Sequence, residues 1–106
     1  MSVTEKAILQ RFRELVSRRL AVHQLMLFGS RARGDSVSES DMDLLLVVNG
    51  PVDTAVEDFV SDCAWEAGFE HGMVIVPIVF SREEWESGPE RYSLLAQAVR
   101  SDGIPV

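Results

Sequence analysis

Leu25–Val48 reads LMLFGSRARGDSVSESDMDLLLVV. An apolar run meets a Gly-Ser corner, a basic and polar connection follows, and two aspartates one residue apart open a second apolar run. Alternate residues of a strand share a face, so Asp41 and Asp43 project side by side if Met42 to Val48 is a strand. Two such carboxylates repel unless a cation lies between them, and hard oxygen ligands suit Mg²⁺. The corner has the complementary chemistry. Gly29 can adopt backbone angles closed to other residues, and Ser30 offers a hydroxyl and an N–H where a short helix begins. Arg31 and Arg33 add guanidinium groups that match phosphate oxygens. Together these residues predict a site for a Mg²⁺-bound nucleotide.

Outward from that stretch, Gln24 to Phe28 is predicted as the first strand and Asp35 to Ser40 as a polar loop leading into the second. So short a connection makes the two strands antiparallel neighbours. Leu44 to Val48 is apolar on both faces, which places it centrally in a sheet. Upstream, Ile8, Phe12, Leu15, Val16 and Leu20 recur at helical spacing, with Thr4 as the expected cap and His23 in the turn before the strand. Downstream, Val52, Val56, Phe59, Val60, Cys63, Ala64 and Ala67 mark a second amphipathic helix, which Gly68 is expected to break. Met73 to Phe80 has strand length, and Pro77 within it predicts an edge position. Ser81 resembles an N-cap with Glu84 three residues on, and Trp85 is expected on the sheet. A last helix over about Glu90 to Arg100, with Tyr92 in its stripe, stops at Gly103, and Ile104-Pro105-Val106 reads as a tail. The expected fold class is α/β, or α+β: a small mixed sheet backed by helices, forming one domain over residues 1–106.

Composition limits the alternatives. A net charge of −7 argues against a broad nucleic-acid-binding surface, because such affinity comes chiefly from Lys and Arg on phosphates. The single cysteine, Cys63, allows no intrachain disulfide and fits a buried small hydrophobe, with the cytoplasm as the expected compartment. No apolar run reaches membrane-spanning length, and the N-terminus lacks the apolar core of a signal peptide. Each piece of the motif has a plainer reading, since a lone DxD is common on turns and paired arginines are usually surface charge. Their combination between two apolar runs favours the functional one. A Walker A loop is excluded because no lysine follows the glycines.

Gly29-Ser30, ten intervening residues and Asp41-Met42-Asp43 before Leu-Leu-Leu-Val-Val resemble the signature of the DNA polymerase beta-like nucleotidyltransferase superfamily. GSRARG further resembles its small minimal nucleotidyltransferases. The resemblance implies a polymerase beta palm-like sheet, with Gly29 and Ser30 at the triphosphate and Asp41 and Asp43 holding Mg²⁺. It also implies transfer of a nucleotide, AMP from ATP above all, to a hydroxyl of a protein or small molecule. Such members carry a third carboxylate on the strand after the second helix, where this chain reads Met-Val-Ile-Val-Pro-Ile-Val-Phe. Glu70, Glu83 and Glu84 flank that run several residues from its middle. Two functional classes therefore stay open: a nucleotidyltransferase, weakened by the absent acid, or an antitoxin-like binding module paired with a HEPN-domain protein. A homodimer is compatible with either.

Overall fold

The computed structural model describes residues 1–33, 41–88 and 93–106. The expected loop at Asp35 to Ser40, and Glu90 and Tyr92 of the last expected helix, lie outside the described residues. The elements run α1 (Val3–Ser17), β1 (Val22–Phe28), α2 (Ser30–Arg33), β2 (Met42–Val48), α3 (Thr54–Phe69), β3 (Ile75–Ser81), α4 (Arg82–Ser87), α5 (Leu94–Asp102) and β4 (Ile104–Pro105). Strand order is β3-β2-β1-β4. β1 pairs antiparallel with β2 and with β4, and β2 pairs parallel with β3. This is the expected mixed sheet, with β2 inside it and β3, carrying Pro77, at an edge.

The period of two along β2 divides the core. Met42, Leu44, Leu46 and Val48 face one side with the buried stripes of α1 and α3, while Leu45 and Val47 face the other with Phe28, Trp85, Ala96 and Val99. Both faces are thus dry, which is why this strand reads as a continuous apolar run rather than an alternating one. Asp43 shares the parity of Leu45 and Val47, at the point where the second cluster gives way to solvent. No described helix is long and apolar enough to cross a membrane.

Four local expectations are corrected. α1 is capped by Ser2, not Thr4: the Ser2 hydroxyl accepts from the Glu5 N–H, and the Glu5 carboxylate accepts from the Ser2 N–H. This reciprocal box satisfies two donors that a cap two residues further in would leave open. His23 lies within β1 rather than before it. Gly68 does not break α3. The helix runs on to Phe69, and a Cβ on Gly68 would collide with the Met73 carbonyl oxygen, so glycine here allows close backbone approach. The chain end is a strand rather than a tail: Met26 pairs with Pro105 and Leu27 with Ile104, the Val106 N–H donates to the Leu25 carbonyl, and Arg13 Nη1 donates to the Val106 carbonyl at 3.1 Å.

Candidate functional site

β1 delivers the chain to Gly29 and β2 begins opposite, with Phe28 and Asp43 as register partners. Gly29 has φ +78°, a left-handed conformation costly for any residue with a Cβ. A Cβ built there would also lie 2.6 Å from Asp43 Oδ2. The corner's backbone is therefore in contact with the carboxylate of the second aspartate. Glycine is required twice, once by the angle and once by the space. α2 starts at the next residue, Ser30. The side chains of Ser30 and Arg33 lie outside the described residues.

Asp41 stands exposed one residue before β2, and Asp43 is half-buried inside it. Between them, the Met42 N–H donates to the Val74 carbonyl at 2.9 Å and ties this end of β2 to the approach of β3. Burial pushes the Asp43 carboxyl above its usual range, and the negative charge of Asp41 pushes it further. Each effect disfavours the ionised form, so a bound cation would relieve both. Two hard carboxylate ligands, one of them strained by its twin, are the donor chemistry a divalent cation such as Mg²⁺ uses.

Arg31, just past the corner, pairs with an acid of α1. Its Nη1 lies 3.2 Å from Glu5 Oε2, with the two side chains only 7% and 17% exposed. The Ser2 N–H does most to lower the Glu5 carboxyl, the Ser2 hydroxyl and Arg31 add to this, and burial opposes them. The capping box of α1 and the first residue after the Gly-Ser corner are thus joined through one carboxylate. Nothing in the local sequence signals this, because Glu5 precedes Arg31 by a helix and a strand.

In the β2–β3 register Asp43 stands beside Val76, and paired residues of a parallel ladder share a face. Val76 is 38% exposed, a valine facing solvent at the position next to the dyad. Among the described residues no group of three His, Cys, Asp or Glu side chains comes together as a metal site. Glu70 caps α3 on the side of α1, beside Ala7 and Arg11. Glu83 and Glu84 sit in α4, past the opposite end of β3, where the Glu84 carboxylate accepts from the Ser81 N–H.

Residues 6–94 match the model of the nucleotidyltransferase domain family. A protein of Methanocaldococcus jannaschii named "putative protein adenylyltransferase" is 42% identical over 80 residues, covering 74% of this chain and 75% of the relative. Among solved structures, a toxin–antitoxin complex with AMP-PNP aligns with TM-score 0.65 at 17% identity, over 95% of this chain and 70% of that one. A complex of a tri-AMPylated Shewanella oneidensis HEPN toxin with its MNT antitoxin aligns with TM-score 0.59 at 13% identity, over 97% and 71%. At such identities the structural matches speak for the fold alone.

Proposed function

The chain belongs to the nucleotidyltransferase domain family, and from that premise we propose that it binds a nucleoside triphosphate, ATP above all, at the Gly29 corner and directs its α-phosphate toward an acceptor hydroxyl on a protein. The observation that carries this reading is the contact between corner and dyad: the space a Cβ on Gly29 would fill abuts Asp43 Oδ2. A triphosphate lying on the corner would have its charge beside the two carboxylates, an arrangement that is stable only with a cation between them. Asp41 and Asp43 are the residues that would hold Mg²⁺, which when bound neutralises phosphate charge and polarises the reacting phosphorus.

In the transfer, the acceptor oxygen bonds to the α-phosphorus, the bond from that phosphorus to the bridging oxygen breaks, and pyrophosphate leaves. The hydroxyl proton must also leave. With Val76 rather than an acid beside Asp43, the described residues supply no carboxylate to take it, and the proton passes to solvent. General-base help is worth roughly a hundredfold to ten-thousandfold, so the isolated chain binds nucleotide well and transfers it slowly.

The adenylyl group in the archaeal relative's name supports ATP as donor. The structural resemblance to antitoxins crystallised with HEPN toxins supports a second reading, in which the domain acts by binding a HEPN-domain partner. The valine beside the dyad favours that reading over fast catalysis. Incubation with each labelled triphosphate and Mg²⁺, with and without a HEPN-domain protein encoded beside it, followed by mass measurement of both proteins, separates the two. A nucleotide adduct on the partner supports the enzyme, and stable binding without an adduct supports the binding module.

A further inference from the structure

An exposed apolar patch lies at the dyad's end of the sheet, on its α3 side. α3 leaves the far end of β2 and returns to the start of β3, so its last turns stand at the same end of the sheet as Asp41 and Asp43. There Trp65 and Phe69 stack with ring centroids 4.6 Å apart, yet they are 66% and 64% exposed. They fall outside the buried stripe of Val60, Cys63, Ala64 and Ala67 and contribute little to the core. Val74, 58% exposed, joins them in a groove of about 510 Å³ between α3 and the start of β3, floored by Met73 and Ile75. The groove lies on the α3 face of the sheet, with Ile75 in register with Met42, whereas Asp43 and Val76 share the other face; the two surfaces meet only at the end of β2, where the Val74 carbonyl accepts from the Met42 N–H.

We propose that this groove docks a protein partner through a segment that inserts an apolar side chain between Trp65 and Val74 and carries lysine or arginine beside it. The surface itself follows from exposure and charge. Asp58 and Asp62 lie on the same outer crest of α3 as Trp65 and Phe69, at spacings of four, three and four residues. The helix TAVEDFVSDCAWEAGF contains Glu57, Asp58, Asp62 and Glu66 and no basic residue. A second copy of the chain would bring two such acidic helices together, and like charges across an interface are unfavourable. A basic-flanked segment meets complementary charge at the rim and an aromatic anchor in the middle, the usual anatomy of a binding hot spot.

The probe is a fluorescein-labelled peptide of alternating Leu and Lys with one Tyr, compared with its isomer carrying Glu at every Lys position. Anisotropy is measured on the full chain without nucleotide. The Lys peptide is expected to bind and the Glu peptide not to. Trp65→Ser with Phe69→Ser should weaken the Lys peptide about tenfold or more while leaving the melting temperature and ATP affinity unchanged. Asp58→Lys with Asp62→Lys, which leaves the aromatic rings in place, should reverse the peptide preference. The proposal is overturned by absent binding, by equal binding of the Lys peptide to wild type and the aromatic double variant, or by an unchanged preference after charge reversal. Self-association of the wild type that disappears in the aromatic double variant would also overturn it, assigning the groove to a second copy. Failure of ATP binding with peptide binding intact would overturn the nucleotidyl-transfer reading and leave the docking surface standing.

Discussion

At the scale of single residues, Gly29 and Asp43 carry the account because each limits the other. Gly29→Ala would place a methyl group where φ is +78° and Asp43 Oδ2 is 2.6 Å away. The carboxylate would then have to swing aside from the corner. We expect a stability loss of about 1 kcal/mol from the backbone angle, and a much larger loss of affinity for ATP than for adenosine. Equal loss for both ligands would show that the corner does not hold phosphate. Asp43 has the opposite sign for stability. Its folded-state pKa is raised by burial and by Asp41, so the folded state holds its proton more tightly than the unfolded chain does. That contribution is full below the usual aspartate range and is lost as pH rises through the raised value. Asp43→Asn should therefore melt no lower than wild type at neutral pH without metal, and should flatten this part of the pH profile. Unfolding of the variant would show that the carboxylate is structural. The sequence made both residues legible, because a glycine after one apolar run and two alternating acids before another are local signals.

At the scale of elements, contacts between distant segments set what the sequence could reveal. Both faces of β2, the edge position of β3 and the cap of α4 at Ser81 were readable because periodicity and capping residues are local. The role of Ile104–Pro105 was not, since two residues carry no period and the partner strand lies at Met26 and Leu27. The Glu5–Arg31 pair was equally hidden. The structure has Arg31 joining α2 to the capped end of α1, so we expect it to position the corner. Arg31→Ala should cost about 1.5–3 kcal/mol, the range for a hydrogen bond to a charged group, and Glu5→Gln should lower ATP affinity without touching the ligand. Unchanged ATP affinity in Glu5→Gln would remove the pair from the site. Because interactions with Ser2 and Arg31 lower the Glu5 carboxyl, its stabilisation is present above the usual glutamate range and is lost as pH falls through the lowered value. Wild type and Glu5→Gln should therefore converge in melting temperature toward acid pH. The β2–β3 register adds a gain-of-function test: Val76→Asp places an acid beside Asp43 and should raise the rate of nucleotide transfer, by about a hundredfold or more if proton removal is limiting. Ile78, in register with Leu45, is one step further from the dyad, so Ile78→Asp should help less.

At the scale of the whole molecule, the sheet brings three surfaces to one end: the corner after β1, the dyad at the head of β2, and the groove between α3 and β3. The pairing of apolar runs in the sequence made the first two visible. The third depended on Trp65 and Phe69, which lie off the buried stripe of α3 and acquire meaning only when Val74 is seen beside them. The net charge of −7 fits this division, leaving anion binding to a local corner and giving the surrounding surface a preference for basic partners. The most direct test of the central claim is calorimetric titration of ATP into wild type and Asp43→Asn, each with Mg²⁺ and with EDTA. The account predicts saturable binding by wild type that requires Mg²⁺ and disappears in Asp43→Asn with the fold intact; Mg²⁺-independent binding, or equal binding by the two proteins, would contradict it.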